Sequence, residues 1–122
     1  MTTDLQKYTI LVVDDEEDQQ FIYNRKLGKK YDLICCASSD EAIKAVKESS
    51  IDLVIMDQLI QGMHGIQTTH ELKVIRPTLP VIMCSASEYN ISLPQPEHIY
   101  DAFYQKPLDF GILEQEIKKY LK

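Results

Sequence analysis

The chain has 122 residues, of which 44% are hydrophobic and 26% are charged, and its formal net charge at pH 7 is -6. This length suits one domain with one core, so we predict a single domain over residues 1–122 with a folded core at about 8–121. The negative charge argues against direct nucleic-acid contact or an anionic membrane as a main partner. The lack of a bilayer-spanning apolar run, of a signal-peptide core and of Cys-x-x-Cys spacing favours a reduced cytoplasm.

Apolar segments alternate with helix-like segments along the chain. The predicted strands are residues 9–13, 32–37, 53–57, 81–85 and 102–105. The first, third and fourth are continuously apolar, which is typical of strands buried on both faces of a parallel sheet. Right-handed crossovers then predict a doubly wound α/β sandwich with three layers and about five β/α units. The three cysteines lie in apolar segments, where we expect small core residues: Cys35, Cys36 and Cys84.

Capping and stop residues delimit the predicted helices. Helix boundaries are expected near Glu16, Gly28, Ser38 or Ser39, Gly65, Pro77 and Asp109. One segment breaks the pattern, because residues 87–100 should hold a helix but contain Pro94 and Pro96. A proline inside a helix removes a hydrogen-bond donor and clashes with the preceding turn, so we predict a short or broken helix there.

Polar side chains follow four of the predicted strands. They are Asp14 and Asp15, then Asp57, then Ser85, then Lys106. In a parallel sheet these strand ends meet at one edge, where doubly wound folds place their sites. Three carboxylates, a hydroxyl and an ammonium suggest a divalent metal and a phosphoryl group. Taken singly, each has an ordinary explanation as a helix cap, a loop carboxylate, a capping serine or a surface lysine. The histidines have no ligand spacing and are interpreted as surface or loop residues: His64, His70 and His98.

The full set of motifs resembles the receiver domain of two-component response regulators from about Tyr8 to Leu121. The matching residues are Val12-Val13-Asp14-Asp15-Glu16, Asp57 with Met63 and Gly65, Ser85-Ala86 and Lys106-Pro107. The resemblance implies a flavodoxin-like (βα)5 fold with a five-stranded parallel sheet in the order 2-1-3-4-5. One departure is Ile60-Gln61, where the family often has Met-Pro.

The resemblance also implies roles at the site. Asp57 would be the phosphoacceptor, with Ser85 and Lys106 contacting the phosphoryl group. The implied cofactor is Mg2+. Its ligands would be Asp15 and Asp57 directly, Asp14 through water, and the backbone carbonyl of Leu59.

Two residues would form the switch that responds to the phosphoryl group. By the resemblance they are Ser85 and Phe103. A half-buried aromatic without a switch role is the alternative for Phe103. Its neighbour Tyr104 should point to the other face of the sheet, because side chains alternate along a strand.

The implied function is that of a phosphoacceptor in a two-component system or phosphorelay. A histidine kinase or histidine phosphotransfer protein would donate the phosphoryl group. The chain would then change conformation to control a downstream protein or an attached output domain. It would catalyse only its own Mg2+-dependent phosphorylation and dephosphorylation, and so would not be an enzyme in the ordinary sense.

Three alternatives from other classes stay open at the level of the sequence. The first is a receiver-like interaction module that is never phosphorylated. The second is a phosphatase with an aspartyl nucleophile, although such enzymes commonly carry an acid where Leu59 stands. The third is a flavodoxin-like cofactor carrier, although acids at residues 14–18 would repel a phosphate.

Overall fold

A computed structural model describes residues 7–58, 65–85 and 100–121. Its strands are β1 Thr9–Val13, β2 Asp32–Cys36, β3 Leu53–Asp57, β4 Val81–Ser85 and β5 Ala102–Gln105. The helices in these residues are α1 Glu17–Leu27, α2 Ser39–Glu48, α3 Gly65–Ile75 and α4 Phe110–Tyr120. The predicted break near Pro94 and Pro96 lies outside the described residues, as do Leu59, Met63, His64 and His98.

The five strands form one parallel sheet in the order β2-β1-β3-β4-β5, which confirms the predicted architecture. The second strand ends at Cys36, one residue earlier than predicted. The Ala37 N–H donates to the Glu41 carboxylate at 2.7 Å, and the Ser38 hydroxyl accepts from the Glu41 N–H at 3.3 Å. This reciprocal cap starts α2 and takes Ala37 out of the sheet.

The core lies in two layers, one on each face of the sheet. One layer packs α2 and α3 on the sheet through residues such as Ala42, Val46 and Leu72. The other packs α1 and α4 through residues such as Leu27 and Ile117. Every residue of β4 is buried, and so is β1 after its first residue, as the continuous apolar pattern predicts.

The edge strands differ from the central ones. Cys36 and Cys84 are buried as predicted, but Cys35 is only half-buried, because β2 has a neighbour on one side alone. At the opposite edge, Phe103 packs on the α2–α3 face and Tyr104 on the α1–α4 face, which confirms their predicted alternation. No helix in the described part of the chain is both long and apolar enough to cross a membrane.

Candidate functional site

Three carboxylates meet at the carboxyl edge of the sheet. Asp14 and Asp15 follow β1, Asp57 ends β3, and the two strands are direct neighbours in the sheet. Carboxylate oxygens of the three residues lie within 4.8 Å of one another. Asp14 is buried, Asp57 is half-buried and Asp15 is exposed, so the group opens toward solvent on one side.

Lys106 is the cation of this group. Its Nζ lies 2.8 Å from Asp14 Oδ2 and 3.7 Å from Asp57 Oδ2, and 12% of its side chain is exposed. Burial opposes its charge, but the hydrogen bond to Asp14 and the charges of Asp57 and Asp14 outweigh burial and raise the pKa of the ammonium. Lys106 is therefore not the solvated surface lysine of the ordinary explanation. We call Asp14, Asp15, Asp57 and Lys106 the acidic site; its three carboxylates and one ammonium leave an excess of two negative charges.

Asp14 also organises the start of α1. Its Oδ1 accepts a hydrogen bond from the Glu16 N–H at 3.0 Å, while Glu16, at the N-cap, makes no side-chain cap of its own. Asp14 thus lies two residues before the N-cap, and its contact with the start of α1 is a local turn rather than a side-chain helix cap. One carboxylate oxygen accepts from the Glu16 N–H, and the other contacts Lys106.

Ser85 is joined to the same edge through its backbone. It is buried at the end of β4, and its carbonyl accepts from the Lys106 N–H at 2.7 Å. One residue earlier, the Cys84 carbonyl accepts from the Gln58 N–H at 3.0 Å. These two bonds tie the ends of β3, β4 and β5 together, so the backbone of Gln58, Ser85 and Lys106 is held in a fixed arrangement.

The start of α3 requires glycine. The Gly65 N–H donates to the Gln58 carbonyl at 2.7 Å, so the helix begins against the backbone that follows Asp57. A Cβ atom at this position would collide with the Asp57 carbonyl oxygen and would lie 2.9 Å from the Gln58 Cα. Backbone atoms cannot move aside as a flexible side chain can, which gives a physical reason for Gly65 in the motif.

Two residues near the site carry polar contacts that the sequence patterns do not indicate. The Gln20 amide on α1 donates to the Asp14 carbonyl at 2.7 Å and to the Cys36 carbonyl at 3.3 Å. The Tyr23 ring is buried in the core layer of α1 and α4 and packs edge-to-face on Phe110, with ring centroids 5.7 Å apart. Burial, together with the neighbouring Cys84 thiol, raises the pKa of Tyr23 above its ordinary value. Both residues sit on a helix whose polar spacing resembles a solvated face.

The remaining predicted site residues lie apart from this group or outside the described residues. Phe103 contacts Tyr100, with ring centroids 5.9 Å apart, on the α2–α3 face of the sheet. His70 is exposed, as predicted. The backbone carbonyl of Leu59, predicted as a metal ligand, belongs to residues that the structure does not describe.

A cleft opens from the acidic site between α1 and the loop that joins β5 to α4. The α1 wall has Gln19, Ile22 and Lys26, and the loop wall begins with Pro107 and Leu108. Asp15, Asp57, Ser85 and Lys106 all line it. A molecule that enters this cleft therefore reaches the Asp57 carboxylate with the ammonium and the hydroxyl-bearing residue beside it.

The donor set suits a hard divalent cation. Carboxylate oxygens are the protein ligands that Mg2+ prefers, and it usually keeps several waters, so an open site with two or three carboxylates is sufficient. Clustered carboxylates with excess negative charge also repel one another without such an ion. The residues at this edge therefore fit Mg2+.

Comparisons with known proteins agree with this geometry. The family model that matches is the response regulator receiver domain, over residues 10–118. The chain is 31% identical over 114 residues to sporulation initiation phosphotransferase F of Bacillus subtilis, covering 92% of each chain. It is 32% identical over 117 residues to the transcriptional regulatory protein ZraR of Salmonella typhimurium, covering 94% of this chain and 26% of ZraR. The chain thus spans about a quarter of that relative.

The similarity extends to solved structures. The response regulator TrrA of Thermotoga maritima, solved in complex with Mg2+–BeF, has a TM-score of 0.84 and 28% identity, with 93% of this chain and 99% of that chain covered. TrrA has also been solved in complex with the histidine kinase ThkA, where it matches with a TM-score of 0.83 and 26% identity over 94% of this chain and 99% of that one.

Proposed function

This chain belongs to the receiver domain family of two-component response regulators, and we propose that Asp57 accepts a phosphoryl group and so controls a protein partner. Receiver domains are signalling domains rather than enzymes in the ordinary sense. The observation that carries the proposal is the setting of Asp57. Its half-buried carboxylate lies within 4.8 Å of two others and 3.7 Å from a half-buried ammonium, and it lines a cleft.

The proposed step is nucleophilic attack by an Asp57 carboxylate oxygen on phosphorus. The O–P bond forms as the P–N bond of a phosphohistidine breaks, and the electron pair of that bond passes to the imidazole nitrogen of the donor. The product is an acyl phosphate on Asp57. A histidine kinase or histidine phosphotransfer protein supplies the donor, in line with the solved complex of TrrA with a kinase.

Lys106 offsets negative charge as the transfer proceeds. Its raised pKa keeps the side chain an ammonium through the neutral range, and Asp14 holds it 3.7 Å from the nucleophile. A positioned cation of this kind stabilises charge on the transferring phosphoryl group. Ser85, at the next strand end, donates its hydroxyl to a phosphoryl oxygen once the group is attached.

Asp14, Asp15 and Asp57 would hold Mg2+. When bound, the ion lowers the charge repulsion between the nucleophile and the phosphoryl oxygens. The support is the donor set at this edge and the Mg2+–BeF complex of the similar receiver TrrA. Leu59 stays a candidate ligand through its backbone carbonyl.

We further propose that attachment of the phosphoryl group shifts an existing equilibrium that involves Ser85 and Phe103. Hydrogen bonding by Ser85 would bias the end of β4, and the contact of the Phe103 ring, on β5, with the Tyr100 ring would rearrange with it. A downstream protein or an attached output domain would read this change.

Intact-mass measurement after incubation with a small acyl phosphate and Mg2+ tests the function. The wild type should gain the mass of one phosphoryl group, while Asp57→Asn should gain none. The matched control is Asp40→Asn, which makes the same change on an exposed residue of α2 and should be labelled like the wild type. Equal labelling of Asp57→Asn would refute the assignment, and no labelling of the wild type would favour the unphosphorylated interaction module.

A further inference from the structure

The side chain of Gln20 joins the ends of two strands at the acidic site. Its Nε2 donates to the carbonyl of Asp14 at 2.7 Å and to the carbonyl of Cys36 at 3.3 Å. The Cys36 carbonyl also accepts the Asp14 N–H at 3.0 Å. The amide thus closes a small ring of hydrogen bonds just beyond the last pair of the β1–β2 ladder.

The carbonyl that Gln20 holds belongs to the peptide group between Asp14 and Asp15. A peptide group is planar, so fixing its oxygen also fixes the direction in which the chain enters Asp15. Among residues 7–58, 65–85 and 100–121, no hydrogen bond or ion pair holds the Asp15 side chain itself. Its position relative to Asp14 and Asp57 therefore depends on the backbone on which it stands.

Asp14 differs from Asp15 in this respect. Its two carboxylate oxygens are held directly, one by the Glu16 N–H and the other by Lys106. Loss of the Gln20 contacts would leave these two bonds in place. Loss of the Gln20 contacts should therefore change the position of Asp15, the exposed member of the acidic site, more than that of Asp14.

We propose that Gln20 is a positioning residue for the divalent cation site and that it acts through the Asp14–Asp15 peptide. The inference rests on the proposed function, because that function assigns the cation to these carboxylates. Hydrogen-bonding partners that orient metal ligands typically account for about 10-fold to 100-fold of metal affinity. Since Gln20 acts through the backbone and on one ligand, we expect the lower end of that range.

The test is a titration with Mg2+ alone, followed by calorimetry and by amide NMR shifts, at a temperature where all variants are folded. Gln20→Met keeps the length and volume of the side chain but removes both donors. It should raise the Kd for Mg2+ about tenfold. In the metal-free protein, its largest amide shift changes outside α1 should lie at Asp15 and Glu16. The matched control is Gln67→Met on the exposed face of α3, which should leave both readouts unchanged.

A second variant separates position from charge. Gln20→Glu has the same shape, but it replaces the donor with an acceptor and adds negative charge beside the site. If charge alone mattered, Mg2+ would bind more tightly. The positioning role requires weaker binding, because the carboxylate cannot hold the two carbonyls. This variant also serves as the test if Gln20→Met does not fold.

The outcomes distinguish the inference from the function on which it rests. A wild type that binds Mg2+ and a folded Gln20→Met that binds it equally well would overturn the role of Gln20 and leave the site intact. Lower stability of Gln20→Met with unchanged Mg2+ affinity would likewise mean that Gln20 stabilises the fold and does not position the cation site. A wild type that binds no Mg2+ would overturn the cation site and this inference together.

Discussion

Two groups of side chains in this molecule, each built around carboxylates or a carboxylate, differ in their balance of negative charge and hydrogen-bond donors. In the acidic site, three carboxylates share one ammonium. On α4, the mostly buried Glu116 carboxylate accepts hydrogen bonds from the Tyr104 hydroxyl at 2.8 Å, the Tyr120 hydroxyl at 2.8 Å and Lys119 Nζ at 3.2 Å. We call these four residues the Glu116 cluster. Here one carboxylate has three donors, one of them a cation.

Under the proposed function, this difference separates a group that stabilises the fold from a group that binds a ligand. Burial opposes the charge of Glu116, but the hydrogen bonds from Tyr104, Tyr120 and Lys119 outweigh it and lower the pKa of Glu116 below its ordinary value. In the acidic site, three carboxylates and one ammonium leave an excess of negative charge, which the proposed cation would stabilise. The Glu116 cluster thus has the contacts of a structural cluster, and the excess negative charge of the acidic site supports its proposed function.

Removing the cation of the acidic site should give the largest effect. In Lys106→Met, the buried Asp14 loses its charged partner, and the free energy of unfolding in metal-free buffer should fall by about 3 kcal/mol. This is the lower end of the range for a broken buried pair, since the cleft admits water. Urea unfolding followed by circular dichroism measures the change.

Two comparisons sharpen that experiment. Millimolar Mg2+ should stabilise Lys106→Met more than the wild type, because the variant site is more negative. Lys44→Met, on the exposed face of α2, should change neither the free energy of unfolding in metal-free buffer nor the stabilisation by Mg2+. A Lys106→Met protein as stable as the wild type without metal would mean that the carboxylates do not need the ammonium.

Neutralising Glu116 should have a moderate effect that Mg2+ does not repair. Glu116→Gln keeps the shape but weakens charge-assisted hydrogen bonds, so the free energy of unfolding should fall by about 2 kcal/mol. The control is Glu71→Gln on the exposed face of α3. Loss of Mg2+ affinity in Glu116→Gln would contradict the separation of the two clusters.

The stabilisation by Glu116 should also depend on pH in a definite direction. Because folding lowers its pKa, the contribution is complete above the ordinary value of 4.5 and is lost as the pH falls through the folded value. The stability difference between the wild type and Glu116→Gln should therefore be constant from about pH 7 to about pH 5.5 and should shrink below about pH 4.5. Urea unfolding at a series of pH values measures it. A difference that stays constant down to about pH 3 would show that the ionised form is not favoured by the fold.

The sequence predicts the fold because the central strands are patterned locally. Continuous apolar runs such as residues 81–84 identify buried parallel strands without any knowledge of their neighbours. The end of β2 at Cys36 could not be predicted without knowledge of the contact between Ala37 and Glu41. The partial exposure of Cys35 could not be predicted without knowledge of the strand order. These features depend on which elements become neighbours.

The acidic site is predictable in its members but not in its contacts. Asp14 and Lys106 are 92 positions apart, and only the parallel sheet brings them to 2.8 Å. Gln20 resembles any solvated helical glutamine, because its function depends on two backbone carbonyls at strand ends. The Glu116 cluster likewise joins Tyr104 on β5 to α4, and no spacing rule along one helix indicates that contact.

The smallest expected effect gives the most direct test of the central claim, that the acidic site holds uncompensated charge for a cation. In metal-free buffer, Asp15→Asn removes one repelling charge from an exposed position and should raise the free energy of unfolding by about 0.5 kcal/mol. With millimolar Mg2+ the order should reverse, because the wild type binds the ion more tightly and gains more stability from it. Asp40→Asn, on the exposed face of α2, should show no such reversal. An Asp15→Asn protein that is less stable than the wild type in both buffers, or that gains as much from Mg2+, would contradict the account.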